Sequence, residues 1–225
     1  MDNKILNFEY SIFGNFNMIF NNAQKLVEMF GDTYTPEVEP SPFDPRGIYT
    51  LKSEALGTIK VMSNRIDVFF GVFNNKSLKI FEGILENFFE NYKEQFGINR
   101  IAINLSFYNN ENYNVLLKNL VSKINFMDAD NPVELNFNIN DQCKINELTF
   151  NNIVYVQKRI LQNSKDFSKF DAIIFGFDFN SLNCKEYENS FNSENTITFF
   201  EELQEKLAIK VETLFKKIEE GIYEK

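Results

Sequence analysis

Three aspartates, Asp67, Asp171 and Asp178, stand in apolar runs that read as strands, with Glu134 on the polar side of another. Carboxylates gathered from several strands bind a divalent cation, and such a cation activates water against a phosphoester. A carboxylate/metal phosphoesterase or nuclease is therefore the enzymatic reading of the chain. The spacing argues against it. Asp171 and Asp178 are seven apart, which on a regular strand of period two puts them on opposite faces, and no D…[DE]-x-K arrangement follows a strand. The sequence has no histidine, and this removes Ser/His/Asp and Cys/His nucleophiles, a histidine base and the commonest zinc ligand together. Cys143 and Cys184 lack a C-x-x-C partner and read as idle thiols. No cofactor and no catalytic set is expected.

A second pattern invites a ligand. "VFFGVFNN" (Val68 to Asn75) and "IIFGFDFNS" (Ile173 to Ser181) are both apolar runs broken by one glycine, ended by asparagine and followed by a long helical pattern. Neither glycine belongs to a phosphate-cradling motif such as G-x-G-x-x-G or G-x-x-x-x-G-K-[ST]. A strand glycine otherwise marks a bulge or the close approach of another backbone. The expectation is that Gly71 and Gly176 each lie beneath the helix that follows, with Phe70 and Phe175 filling the core beside the gap and Asn74 and Asn180 ending the strands.

The 225 residues hold 23 Lys+Arg against 32 Asp+Glu, a net charge of −9. Eighteen of the acids but only eleven of the bases fall after residue 125. Binding to a nucleic-acid backbone needs clustered cations, so it is not expected; a basic partner suits the chain better. No apolar run is long enough to span a bilayer, and the first residues, "MDNKILNFEY", have no apolar core of a leader, so the expected location is cytoplasmic. Abundant Asn, Lys, Ile and Phe have A/T-rich codons and point to a low-GC bacterium or its phage.

Elements that would position these residues follow from periodicity. Leu6, Phe8, Tyr10 and Ile12 alternate with polar residues as a strand, and Phe16 to Phe30 has helical spacing up to Gly31. "TYTPEVEPSPFDPRG" holds four of the five prolines and reads as a stiff connection. Strands at "GIYTLKS", "GTIKVMS" and "RIDVFFGVF" form a meander, with Ser63-Asn64 a tight turn. The spacing predicts a helix from Ser77, its N-cap, to Phe96. A strand through Ile101 to Phe107 and a shorter helix through Leu116 to Ile124 follow. "DADNP" breaks the chain near residue 130. Strands are then expected at Val133 to Ile139, turned by "NDQ", then at "KINELTF", "IVYVQKRIL" and "AIIFGFDF", before a terminal helix from Thr196 to Tyr223.

The expected fold is α+β: two similar halves of antiparallel strands, each followed by a long amphipathic helix, in one continuous or two abutting sheets with helices on one face. It would be one domain over 1–225, with an N-terminal strand, helix and Pro-rich connection (1–46), a first half (47–129) and a second half (130–225).

From about residue 47 the order of elements resembles a sporadically distributed, functionally uncharacterised family of prokaryotic proteins. The resemblance rests on "IFEGILENFFENYKEQFG", the strand "INRIAINLSFYN", the penultimate strand "IIFGFDF" with its acid, and the terminal helix. The family's Arg-Tyr followed by Asn is met here by Ser106-Phe107-Tyr108-Asn109, which keeps the aromatic and the Asn but not the Arg. The resemblance implies a patchily inherited bacterial gene, as in mobile elements and phage conflict, and no catalytic residues.

The leading functional expectation is a non-enzymatic protein-interaction module, an inhibitor or accessory factor in bacteria–phage conflict. Alternatives are the metal phosphoesterase on Asp67, Asp171 and Asp178, and a small-ligand sensor with an aromatic pocket drawn from the 26 phenylalanines. The apolar stripe of the terminal helix is longer than a small sheet needs. Its end, Phe215, Ile218 and Ile222, is expected to overhang and to form a homodimer contact.

Overall fold

The computed structural model describes residues 3–41, 47–92, 96–123, 134–145, 148–182 and 191–223. Nine strands form one open sheet: β1 (Lys4–Phe13), β2 (Thr35–Glu39), β3 (Ile48–Ser53), β4 (Gly57–Val61), β5 (Arg65–Phe69), β6 (Arg100–Asn109), β7 (Asn136–Ile145), β8 (Leu148–Gln162) and β9 (Lys169–Ser181). Their order is β2-β3-β4-β5-β1-β6-β9-β8-β7, and every neighbouring pair is antiparallel. The described residues also form five helices: α1 (Asn17–Phe20), α2 (Ala23–Phe30), α3 (Asn75–Tyr92), α4 (Tyr113–Lys123) and α5 (Ser193–Tyr223).

This corrects the expected fold class. The chain does not form two similar halves, each with its own strands and closing helix; it forms a single nine-stranded antiparallel sheet. The strand set apart as an N-terminal addition, β1, lies in the interior between β5 and β6. β6, assigned to the first half, pairs with β9 of the second over Ala102 to Asn109. Which strands pair is settled by contacts far apart in sequence, and periodicity within a strand does not encode them.

All five helices pack on one face. There Phe8, Tyr10 and Ile12 of β1 meet Phe81 and Phe88 of α3 and Phe200 and Leu203 of α5 in one buried cluster. Tyr10 stacks on Phe81 at 4.4 Å between ring centroids, and Phe200 approaches both edge-on. Such pairs add to the apolar area they bury. A smaller cluster joins Leu116, Leu117 and Val121 of α4 to Val156, Ile173 and Phe175. One polar chain crosses the layer: Tyr10 Oη donates to Gln204 Oε1, and Gln204 Nε2 donates to Asn75 Oδ1 at 3.2 Å. Burial drives the Tyr10 hydroxyl well above its ordinary pKa, so it remains a donor.

Several local expectations shift. α3 is capped by Asn74, whose Oδ1 accepts from the Ser77 backbone N–H at 3.1 Å; Ser77 sits inside the first turn and bonds Val72 O instead. "NDQ" does not turn the chain: Asn140, Asp141 and Gln142 lie within β7, paired to Ile153, Asn152 and Asn151. The two expected strands "KINELTF" and "IVYVQKRIL" merge into the end of β7 and the 15 residues of β8. Side-chain bonds between strands hold this polar run extended where turn propensity would bend it. Pro36 lies in edge strand β2, whereas Pro42, Pro45, the "DADNP" break and Cys184 fall outside the described residues.

Neither glycine of the repeated stretches sits beneath a helix in the way expected. Gly71 lies beyond the end of β5, exposed, and an added Cβ would meet nothing within 4 Å. Gly176 is within β9, but its missing side chain points away from the helices: a Cβ there would overlap the ring of Tyr155, its cross-strand partner on β8. The glycine accommodates an aromatic ring lying on the sheet. Replacing Gly176 with Ala is expected to cost about 1 to 3 kcal/mol through overpacking, against about 0.5 kcal/mol or less for Gly71→Ala at its open position. Urea unfolding should also show that the Gly176→Ala loss shrinks in a Tyr155→Ala background, the signature of two coupled neighbours.

Candidate functional site on the helix-free sheet face

Among the described residues, no helix covers the opposite face of the sheet. Alternation along each strand sends polar side chains there, as in antiparallel sheets solvated on one side. Near the middle of this face, however, polar residues are buried: Ser11 is 2% exposed, Asp67 3%, Ser106 3% and Asn180 3%. Longer side chains roof them.

The roof over β1 and β5 is Arg65. Its Nε donates to Asp67 Oδ1, and Nη2 donates to Ser11 Oγ at 3.3 Å and to Glu9 Oε1 at 3.4 Å. Ser11 Oγ donates to Asp67 Oδ1 at 2.6 Å. The cluster forms because Ser11 faces Asp67 across the β1–β5 ladder, with Glu9 and Arg65 one step along on the same face. The Arg65 and Arg100 guanidiniums lie 5.0 and 4.9 Å from the Phe13 ring centroid, an arrangement stabilised by the ring's electron-rich faces.

The other side of the face is an amide relay. Gln142 Nε2 donates to Asn151 Oδ1, Asn151 Nδ2 to Asn180 Oδ1, and Asn180 Nδ2 to Asp178 Oδ1, at 3.3, 3.2 and 2.9 Å. The relay ends on the Asp178 carboxylate as acceptor, which sets the direction of every amide behind it. Tyr155 lies over Gly176 and bonds with Ser106 of β6; burial raises its pKa, and the nearby Asp178 and Glu9 charges add to that.

Glu9 and Asp67 both hold their protons more tightly than ordinary carboxyls. For each, burial is the largest cause and outweighs the lowering by Arg65; Glu9 is raised further by the charges of Asp67 and Asp178. The Arg65 guanidinium thus bonds both Glu9 and Asp67, Lys60 adds its charge to Asp67, and Asp178 adds a further negative charge near Glu9. The Ser11–Asp67 bond does not make a nucleophile, because Ser11 is closed to solvent and a carboxylate remains far too weak a base to ionise a hydroxyl.

The proposed metal aspartates are not brought together. Asp67 and Asp178 share the helix-free face, whereas Asp171, an odd number of residues from Asp178 along regular β9, lies on the helix side opposite Ile160. Glu134 is exposed just before β7. Among the described residues, no group of three His, Cys, Asp or Glu is placed to hold a metal ion. The expected helix overhang is occupied by the chain's own core: Phe215 packs against Phe107 and Phe175 at 5.0 and 6.2 Å between centroids, and Ile218 joins the α4 cluster. The Ile222 side chain lies outside the described residues. Glu9, Arg65, Ser11 and Tyr155 escaped the sequence reading; the only signal was that polar residues alternate with the core positions of the first strand.

Described residues line two further concavities. One of about 200 Å³ lies between α2 and β2–β3, lined by Leu26, Pro36, Val38, Tyr49 and Leu51, smaller than most ligand pockets. The other, about 800 Å³, lies between the start of α3 and α5 with Asn74, Asn75, Lys76, Glu201 and Glu205 on its walls. The chain matches no protein-family model, no curated protein and no solved structure.

The raised carboxyls have a consequence for stability. A group that binds its proton more tightly when folded favours folding below its unfolded pKa, here 4.5 for Glu9 and 3.8 for Asp67, and this contribution is lost as pH rises through the folded value. Glu9→Gln is permanently neutral, so its stability relative to wild type should improve as pH rises from about 4 to 7. Paired urea titrations at several pH values measure this; a difference independent of pH would show that Glu9 ionises normally. In thermal unfolding, millimolar Mg²⁺ or Mn²⁺ is expected to leave Tm unchanged, since a cation binding only the folded state would raise it.

Proposed function

We propose that this chain is a non-enzymatic interaction module that receives a protein partner on the helix-free face of its sheet, and that the partner presents lysine or arginine side chains there. The observation that carries this reading is the density of carboxylates at the centre of the face: Glu9 is under the charges of both Asp67 and Asp178, and among the described residues the cation bonded to Glu9 and Asp67 is Arg65, while Lys60, opposite Asp67, is turned to Glu39. An incoming ammonium or guanidinium would lower the raised carboxyls and complete a charge-assisted bond in a partly desolvated setting, where such bonds are strongest. The amide relay offers further acceptors and donors to a polypeptide, and the net charge of −9 speeds the encounter with a basic protein. The A/T-rich codon usage implied by the composition supports a bacterial or phage setting, in which such a module serves as an inhibitor or accessory factor.

Titration with a polyarginine peptide tests the reading. At low salt the peptide should bind, and Glu9→Gln with Asp178→Asn should weaken it about tenfold or more, a loss of about 1.4 kcal/mol. Glu205→Gln with Glu212→Gln, an equal change of charge on α5, should weaken it much less. Equal losses in the two double variants would reduce the interaction to net charge and remove the sheet face as the site.

A further inference from the structure

The two edges of the sheet are built differently. β2 has five residues, TPEVE, with Pro36 and two glutamates, and its Glu37 and Glu39 are bound inward by Lys52 and Lys60. Short length, proline and charge are the usual devices that stop an edge from pairing with another chain. β7 has none of them. It runs for ten residues, NFNINDQCKI, in unbroken register with β8. It contains no proline and no bulge, and among the described residues nothing pairs with its outer side.

The direction of its free backbone groups follows from one bond. Lys158 N–H donates to Leu135 O, and the register sets residue 135 opposite 158. Hydrogen-bonded pairs alternate along an antiparallel ladder, so the odd residues of β7 bond to β8. The even ones, Asn136, Asn138, Asn140, Gln142 and Lys144, turn their N–H and C=O outward. On the helix side of the same strand Phe137 and Ile139 are 47% and 53% exposed.

We propose that β7 is a self-pairing edge: two copies of the chain join antiparallel through it about a two-fold axis, so that their sheets become one. Three features choose a second copy as the occupant. Amide side chains both donate and accept, so a row of asparagines is complementary to its own image. The strand's single acid, Asp141, is offset by its single base, Lys144, so this edge adds no net charge of its own to the meeting of two chains of net charge −9. With Asn138 on the axis, Phe137 stands opposite Ile139 of the second copy, and the reverse pair repeats it. Aromatic and β-branched residues facing each other in this way stabilise a ladder. This inference places any homodimer at β7, away from α5, and stands apart from the binding proposed for the helix-free face.

Sedimentation of the full chain at micromolar concentration should show a dimer. Asn138→Pro removes only an outward N–H, so it should give a folded monomer, and Ile139→Lys should weaken association about tenfold or more by placing a charge against Phe137 of the second copy. Ile209→Lys, at an equally exposed position on α5 (59%), should leave the dimer intact. A monomeric wild type, an Ile139→Lys dimer of unchanged strength, or dissociation by Ile209→Lys would each overturn the proposal. Should Asn138→Pro unfold the chain, Ile139→Lys decides, since it leaves the backbone unaltered.

Discussion

The pairing of β1 with β5 on one side and β6 on the other holds the two parts of the sheet together. β1 is buried on both faces, an unusual demand on a strand whose neighbours are all antiparallel. Toward the helices it presents Phe8, Tyr10 and Ile12, each 1% exposed or less; away from them it presents Glu9 and Ser11, at 9% and 2%. Burying an acid and a hydroxyl without partners would cost several kcal/mol, so the strand is stable there only because Asp67 and Arg65 stand beside it on β5. The ion cluster and the central position of β1 are one constraint seen from two sides.

From this centre the two wings of the helix-free face are zipped in different chemistries. Toward β2 the links are ionic: Lys60 to Glu39 at 2.7 Å and Lys52 to Glu37 at 2.6 Å. Toward β7 they are amides, relayed from Gln142 to Asp178. Exposed ion pairs contribute little individually, and a relay of amides is directional but neutral. The wings therefore differ less in stability than in what they present: a self-satisfied charged edge at β2, and at β7 an edge whose outward backbone no described strand pairs.

Gly176 shows how one residue couples the two faces. Its lack of a Cβ lets Tyr155 cross β9 to reach Ser106 on β6, while on the helix side Phe175 and Phe177 are buried in the core. The aromatic on the open face is positioned by a backbone that the core holds in place, so the polar face keeps its geometry without a covering layer.

Local order is legible in the sequence wherever a periodic apolar stripe meets a core: the first strand, the meander up to Arg65–Phe69, and helices α3, α4 and α5. Composition alone removes histidine chemistry, because a side chain absent from the chain can be supplied by no fold. What the sequence leaves open is everything fixed by partners distant in the chain. The likeness of "VFFGVFNN" to "IIFGFDFNS" suggests similar halves, yet Gly71 faces open space and Gly176 faces a tyrosine, because similar local patterns are given meaning by different neighbours. β7 departs from expectation at Asn140–Gln142, where the pull of polar residues toward a turn yields to pairing with β8 along the whole strand. The Glu9–Ser11–Arg65–Asp67 cluster is hidden for the same reason: its members are polar positions of two strands 56 residues apart, and only the register between those strands decides which side chains meet.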